Sequence, residues 1–166
     1  MTTKIRPLNL AETTSNTSIR TLVVDDSPFM LRILAGILEG AGNFDLVGTA
    51  TDGWQALRHV TALSPDLVLL DLHLPHPNGI EATRYIKAHA HPPIVIMVTS
   101  DDSSSAKSMA EKAGADAFVS KAGNLSARLT RTLQDLFGPG GVRGAAASGV
   151  SLQDPPAEQP KQDHRR

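Results

Sequence analysis

Hydrophobic and polar positions follow two alternating patterns along the middle of the chain. Short apolar runs rich in Val, Ile and Leu, such as "TLVVD" and "PPIVIMVT", precede longer stretches in which apolar residues recur every three or four positions. The first pattern predicts strands and the second predicts amphipathic helices. In chain order, the sequence predicts five strands, each followed by a helix, between Ile19 and Phe137.

The first predicted helix, "SPFMLRILAGILEGAG", has signals at both of its ends. Ser27 is a good N-cap and Pro28 suits the first helical position. Gly40 or Gly42 can end the helix. The apolar residues expected on one face are Phe29, Met30, Ile33, Leu34, Ile37 and Leu38.

Strands one, three and four are nearly unbroken apolar runs, which is typical of strands that are covered on both faces. Strict alternation of strands and helices predicts an α/β fold, with a parallel sheet and helices on both of its sides. In such sheets, ligands bind outside the carboxyl ends of the strands. The residues at those ends are therefore the first candidates for function.

The predicted carboxyl edge of the sheet collects charged and hydroxyl side chains. Strand one ends on Asp25 and Asp26, strand three ends on Asp71, strand four ends on Thr99 and strand five runs into Lys121. An acidic pair by itself is more often a capped turn than a metal site. Three carboxylates in one pocket, however, repel one another unless a cation or a proton compensates their charge.

The chemistry of these residues suggests a cation and a phosphoryl group. Oxygen ligands without His or Cys favour a hard ion such as Mg²⁺. A Lys ammonium and a Thr hydroxyl are suitable donors to phosphoryl oxygens. An aspartate can be a nucleophile and carry an acyl phosphate, and the central Asp71 is the candidate for that role.

With these motifs in place, the segment from Ile19 to Phe137 resembles the receiver domain of two-component response regulators. The matching text is "VVDDSPFM", "LVLLDLHLP" with "NG" after it, "IVIMVTS" and "GADAFVSK". The sequence looks most like that of chemotaxis-type receivers, including the receiver of the chemotaxis methylesterase. The resemblance implies a flavodoxin-like, doubly wound, five-stranded parallel sheet in the order 2-1-3-4-5 with five helices.

The resemblance also implies a metal site. Asp26 and Asp71 would bind Mg²⁺ directly, the backbone carbonyl of His73 would be a further ligand, and Asp25 would act mainly through a metal-bound water. Asp71 would accept a phosphoryl group from the phosphohistidine of a sensor histidine kinase or a histidine phosphotransfer protein.

The same resemblance implies a switch. Thr99 would hydrogen-bond the phosphoryl group and Lys121 would pair with it. Phe118 occupies the family's switch-aromatic position, so phosphorylation would change the face around strands four and five that a downstream protein reads. The chain would not be an enzyme beyond its own autophosphorylation and autodephosphorylation chemistry.

The sequence departs from the family's pattern in a few places. The residue after Lys121 is Ala122 instead of the usual proline, so a trans peptide bond and a differently shaped loop are expected. His73 and Asp101 occupy two positions that influence the lifetime of the phosphoryl group in this family. His73 would either shield the acyl phosphate or help to orient a water molecule.

Composition limits the classes of partner. The net charge is −1, which argues against broad binding to nucleic acid or to an anionic membrane. The chain has no cysteine, no signal-peptide pattern and no apolar run that could span a bilayer, so a cytoplasmic location is expected. Residues 1–18 and 138–166 are expected to be a disordered arm and tail flanking a stand-alone receiver at 19–137.

Two alternative functions remain open at this point. An aspartyl-nucleophile phosphatase would also use Mg²⁺ and an acyl phosphate. Such enzymes typically have an acid two residues after the nucleophile, whereas Ser27 follows Asp25 and Pro28 follows Asp26 at that spacing. A receiver-like interaction module that works without phosphate is the other alternative, and the Lys121–Ala122 loop is its support.

Overall fold

The structure, a computed structural model, describes residues 18–138 of the chain. Five strands alternate with five helices, as the hydrophobic pattern predicts. The elements are β1 (Ile19–Val24), α1 (Pro28–Ala41), β2 (Phe44–Ala50), α2 (Gly53–Leu63), β3 (Leu67–Leu70), α3 (Gly79–Lys87), β4 (Ile94–Thr99), α4 (Ser104–Ala113), β5 (Ala117–Ser120) and α5 (Leu125–Phe137). The predicted arm and tail lie outside the described residues, apart from Ser18 and Gly138.

The five strands form one parallel sheet in the order β2-β1-β3-β4-β5. This confirms the predicted doubly wound architecture. Helix α1 packs beside α5, while α2, α3 and α4 pack side by side. All five strands therefore end at the same edge, and every helix begins there.

The hydrophobic core has one layer on each face of the sheet. Val23 and Leu69 pack with α1 and α5, whereas their neighbours Leu22 and Leu70 pack with α2 and α3. Successive side chains of a strand point to opposite faces, so a strand that is covered twice must be apolar at every position. This is why β1, β3 and β4 appear in the sequence as nearly unbroken apolar runs.

Side-chain caps fix the start of each helix at the functional edge. Ser27 accepts a hydrogen bond from Met30 N at the start of α1, as predicted, and Asn124 caps α5 in the same way. Asn78 and Glu81 form a reciprocal capping box on α3. These bonds satisfy backbone donors that a helix leaves free and hold the loops before the helices in defined positions.

One expectation about α1 is wrong. Phe29 does not share the buried face, because 63% of its surface is exposed, whereas Leu34 and Leu38 are each 1% exposed. At 3.6 residues per turn, Phe29 lies roughly 140° around the helix from Leu34. It therefore falls at the margin of the apolar arc, in the first turn of the helix, where the sheet does not cover it.

Candidate functional site

The acidic pair lies immediately beyond the end of β1. Asp25 is 1% exposed, whereas Asp26 is exposed to solvent. The Asp25 N–H donates to Ala50 O of the neighbouring strand at 3.0 Å, and Asp25 Oδ1 accepts from the Ser27 N–H at 3.0 Å. The start of α1 thus orients one carboxylate into the protein and leaves the other at its surface.

Asp71 follows β3 at the centre of the sheet. Its N–H donates to Val24 O at 3.0 Å, which extends the pairing of β3 with β1 by one residue and places Asp71 beside the acidic pair. Asp25, Asp26 and Asp71 each offer one carboxylate oxygen, and these oxygens lie within 4.8 Å of one another. The structure therefore brings the three predicted carboxylates together.

Lys121 enters this cluster from the end of β5. Its N–H donates to Thr99 O at 2.8 Å, which aims the side chain across the edge of the sheet. Lys121 Nζ lies 2.6 Å from Asp25 Oδ2 and 3.2 Å from Asp71 Oδ2. With one ammonium group among three carboxylates, the cluster has a formal excess of two negative charges, which a divalent cation would balance.

The surroundings of Asp71 fit a metal site as well. Asp71 is only 5% exposed, and its Oδ1 is a buried atom with no hydrogen-bond partner among residues 18–138. A buried carboxylate oxygen without a partner carries a free-energy penalty that a cation or an incoming donor would remove. The donor set consists of carboxylate oxygens, which suits a hard ion such as Mg²⁺.

Thr99 and Phe118 lie nearby without joining the cluster. Thr99 is fully buried, and its Oγ1 accepts a hydrogen bond from the Asp101 N–H at 3.2 Å. Phe118 is partly buried and packs against an apolar cluster that includes Leu72 and Met97. The roles predicted for these two residues thus require a rearrangement that this conformation does not include.

His73 and Asp101 face each other across the mouth of the site. His73 Nε2 lies 3.9 Å from Asp101 Oδ2, and the two side chains are 59% and 37% exposed. Hydrogen bonds from the side chain and the backbone N–H of Ser103 lower the pKa of Asp101, so its carboxyl group stays ionised near neutral pH. The predicted contribution of the His73 carbonyl to metal binding stays a prediction.

The peptide bond after Lys121 has the trans geometry that the sequence predicts. Among the described residues the cis peptide bond is His76–Pro77, so the Lys121–Ala122 bond is trans. The Ala122 N–H donates to Ser120 Oγ at 3.1 Å, and Gly123 takes a positive φ of 67°. This turn still delivers Lys121 Nζ to two aspartates without a proline.

Two glycines that the sequence analysis did not single out hold the loop between β3 and α3. A Cβ on Gly79 would collide with Asp71 O and the Leu72 backbone, and a Cβ on Gly53 would collide with Pro77 O. The Gly79 N–H also donates to Leu72 O at 2.9 Å. The "NG" at the start of α3 was the available signal, but the contact with Asp71 is visible only once the chain is folded.

Comparison with known proteins agrees with this geometry. A family model described as the response regulator receiver domain matches residues 21–133, which is more than half of the chain. The chain belongs to this family. It is a phospho-accepting receiver of two-component signalling, and the acidic cluster, Thr99 and Lys121 all lie within the matched range.

Curated relatives of this receiver are longer proteins. It is 36% identical over 138 residues to a protein-glutamate methylesterase/protein-glutamine glutaminase of Halobacterium salinarum, and the match covers 82% of this chain and 38% of that protein. It is 44% identical over 82 residues to the enzyme of the same name from Thermotoga maritima, and this match covers 49% of this chain and 24% of that protein. The chain thus spans about two fifths of the length of the first of these relatives.

Solved structures share the receiver fold. The response regulator domain of Thermotoga maritima CheB is 34% identical, with a TM-score of 0.63 over 71% of this chain and 92% of that one. A CheX-CheY-BeF3-Mg+2 complex from Borrelia burgdorferi is 26% identical, with a TM-score of 0.67 over 72% of this chain and 89% of that one. No helix of this receiver within residues 18–138 combines the length and the hydropathy needed to cross a membrane.

Proposed function

We propose that Asp71 is the residue of this receiver that accepts the phosphoryl group. The observation that carries the proposal is its position. Asp71 is a buried carboxylate at the end of a central strand, 3.2 Å from Lys121 Nζ, with an oxygen that lacks a hydrogen-bond partner among residues 18–138. A carboxylate in that setting can act as a nucleophile, and the lysine offsets part of the charge that develops.

In the proposed reaction, an Asp71 carboxylate oxygen attacks the phosphorus of a phosphohistidine. The new O–P bond forms while the N–P bond breaks, and the imidazole keeps the electron pair and takes up a proton. The product is an acyl phosphate that adds roughly −1.5 to −2 charges at this site. The donor is a sensor histidine kinase or a histidine phosphotransfer protein.

We infer that Mg²⁺ assists at the acidic cluster, held by Asp26, Asp71 and the carbonyl of His73, with Asp25 acting through a bound water. When bound, the ion supplies positive charge that offsets the repulsion between the carboxylates and the incoming phosphoryl oxygens. The excess of negative charge around Lys121 supports this inference. The CheX-CheY-BeF3-Mg+2 complex, a structural neighbour of this receiver, provides a parallel.

Thr99 and Phe118 are the proposed switch. The Thr99 hydroxyl would leave Asp101 N to donate to the phosphoryl group, and Phe118 would move with the β4–α4 loop. A downstream protein would then bind the altered face around β4 and β5. We place the protein in the cytoplasm, where such kinases deliver phosphoryl groups, and propose no enzyme activity beyond its own phosphorylation and dephosphorylation.

The methylesterase and glutaminase activities named for the relatives are not proposed for residues 21–133, since the match covers 38% of the first relative. No observation on residues 18–138 favours an aspartyl phosphatase or a phosphate-independent module over a phospho-accepting receiver.

Intact mass spectrometry tests the assignment of Asp71. The wild type, Asp71→Asn and the exposed control Asp102→Asn are incubated with acetyl phosphate, with and without Mg²⁺. We expect one Mg²⁺-dependent phosphoryl adduct on the wild type and on the control and none on Asp71→Asn. An adduct of undiminished yield on Asp71→Asn would disprove the assignment.

A further inference from the structure

Two large aromatic side chains lie exposed on neighbouring helices. Trp54 of α2 and Tyr85 of α3 are the chain's only tryptophan and tyrosine, and each is 57% exposed. The ring pair found among the described residues is Phe44 with Phe137, so neither exposed ring stacks on another described ring. Tryptophan and tyrosine are enriched where proteins bind one another. The two rings therefore mark a surface that a binding partner could cover.

Both rings lie on the sides of their helices that face each other. Leu63 approaches Gly48 of β2, and Trp54 lies about 180° around α2 from Leu63, so Trp54 is on the side toward α3. Ile80 packs with the buried face of α4, and Tyr85 lies about 140° around α3 from Ile80, so Tyr85 is on the side toward α2. We call the exposed surface formed by Trp54, Arg58, Thr61 and Tyr85 the α2–α3 seam.

The seam ends in a cavity at the edge of the sheet opposite the acidic cluster. The cavity has a volume of about 490 Å³ and lies between the last turns of α2 and the loop from α3 to β4. Thr61 belongs to both the seam and the cavity lining, which continues through His89 and Pro92. A chain segment lying along the seam therefore has room for side chains at this end.

One charged residue lies within the seam. Arg58 is exposed, follows Trp54 by four residues on the same face of α2, and makes no ion pair with a described residue. Tryptophan, tyrosine and arginine are the residue types that most often dominate the binding energy of protein interfaces. Charges that border the seam have both signs, so the aromatic rings and Arg58 decide what binds there. These bordering residues are Arg20, Asp52, Asp66, Glu81 and Arg84.

The chain itself contains a segment of matching chemistry. Residues 154–160, which lie outside the described residues, have the sequence "DPPAEQP". Proline-rich segments favour the extended polyproline II helix, which loses little conformational entropy on binding, and grooves lined by aromatic side chains recognise it. The two acidic residues of the segment flank a pair of prolines, and the segment contains no basic residue. It can therefore offer proline rings to the aromatic side chains and a carboxylate to Arg58.

Residues 139–153 are long enough to bring this segment to the seam. Helix α5 begins at the edge that carries the acidic cluster, so Gly138 lies at the opposite edge, where α2 and α3 also end. The path from the α5 face to the α2–α3 face crosses two layer spacings, roughly 20 Å. A chain of this length spans up to about 50 Å when extended and roughly 20 Å as a random coil. A linker that matches its span gives an effective concentration in the millimolar range, which favours even weak docking.

We propose that residues 154–160 of this chain dock on the α2–α3 seam of the same molecule. The proline rings would cover Trp54 and Tyr85, and an acidic residue of the segment would pair with Arg58. The seam would then be closed to other proteins while the segment is bound. The proposal does not depend on the assignment of Asp71, because the acidic cluster contributes no residue to the seam.

Fluorescence of Trp54 in the full-length chain tests the proposal, because the chain has no other tryptophan. The test variant combines Pro155→Ala, Pro156→Ala and Pro160→Ala, which keeps the length and charge of the segment. We expect acrylamide to quench the wild type with a Stern–Volmer constant about half that of this triple variant, since docking would cover a ring that is otherwise 57% exposed. Pro139→Ala changes a proline outside the segment and should match the wild type.

Arg58→Glu tests the seam itself. It should raise the quenching constant of the otherwise wild-type chain and leave that of the triple variant unchanged, and an equal effect in both would contradict the proposed pairing. Arg131→Glu makes the same charge change at an exposed position of α5 and should have no effect in either protein. Circular dichroism checks the fold of each variant. A synthetic peptide of residues 152–162 should restore the protection of Trp54 in the triple variant.

Three results would overturn the proposal. The first is equal quenching of the wild type and the triple variant. The second is protection of Trp54 that grows with protein concentration, because a second copy of the chain would then cover the seam. The third is that amide chemical-shift differences between the two proteins, expected at residues 54–62 and 85–93, are confined to another face. The mass-spectrometric test of Asp71 uses none of these variants, so the two proposals fail independently.

Discussion

At the scale of single residues, the acidic site depends on one partly buried ammonium group. Lys121 is 12% exposed and Asp25 is 1% exposed by side chain, so their ion pair is largely shielded from water. Removing one member of a buried pair leaves the other charge uncompensated. Removing the Lys121 ammonium group would also take away the ion-pair partner of Asp71.

Replacing Lys121 by Met is therefore expected to lower the free energy of unfolding without Mg²⁺ by about 3 kcal/mol. This is the low end of the range for breaking a buried ion pair, because Asp25 keeps its hydrogen bond from Ser27 N. Mg²⁺ should recover more stability in this variant than in the wild type, since the ion then has no ammonium group to compete with. Urea denaturation with and without Mg²⁺ measures both effects.

The control for that experiment is Lys112→Met, which removes an exposed lysine from the last turn of α4. It should change stability by less than about 0.5 kcal/mol. If Lys121→Met were as stable as this control without Mg²⁺, the ion pair would not hold the site together.

At the scale of secondary-structure elements, α3 begins in direct contact with the backbone of Asp71. Ala at position 79 would place its Cβ against Asp71 O, and that oxygen cannot move without shifting the loop. We expect Gly79→Ala to destabilise the protein by about 1–3 kcal/mol, the range for overpacking. It should also slow phosphoryl uptake, and thermal unfolding and intact mass spectrometry measure the two effects.

A second glycine provides the opposite expectation. Gly36 lies in the middle of α1, and a Cβ there would meet nothing within 4 Å. Gly36→Ala should therefore stabilise the protein by about 0.5–1 kcal/mol, because alanine loses less conformational freedom in a helix. Phosphoryl uptake should stay at the wild-type rate. Equal effects of the two substitutions on stability would contradict the close contact at Gly79.

At the scale of the whole molecule, cation binding and folding are linked. If Mg²⁺ binds the folded state at the acidic cluster, a concentration 100 times the Kd adds about 2.7 kcal/mol of stability, or roughly 10 °C in Tm. Asp26→Asn should abolish that rise. Because Asp26 is exposed, the Tm in EDTA should stay near that of the wild type. A Mg²⁺-dependent rise retained in Asp26→Asn would place the ion elsewhere.

Much of the fold was predictable from sequence because strands that are buried on both faces need apolar residues at nearly every position. The runs ending at Val24, Leu70 and Thr99 are apolar at nearly every position, and Ser27 and Asn124 are recognisable caps. The grouping of the three aspartates with the lysine followed from the rule that parallel strands end at one edge. The strand order came from the family resemblance.

Other features depend on contacts between distant parts of the chain, which a local pattern does not contain. Phe29 fits the apolar periodicity of α1, but the sheet ends before it reaches that residue. The contacts of Gly53 and Gly79 with backbone are set by how closely two elements approach. The hydrogen bond from Asp101 N to Thr99 depends on one conformation of a loop that the proposed switch would change.

The close contacts at Gly53 and Gly79 also have a consequence for inheritance. Any base change in a glycine codon that alters the encoded amino acid introduces a side chain, and at both positions the first carbon of that side chain meets backbone. Exposed positions such as Arg58 and Lys112 carry no such restriction from backbone contact. Gly53 and Gly79 do not tolerate a side chain, so lineages that keep this loop should keep both glycines even where the rest of α2 and α3 has diverged.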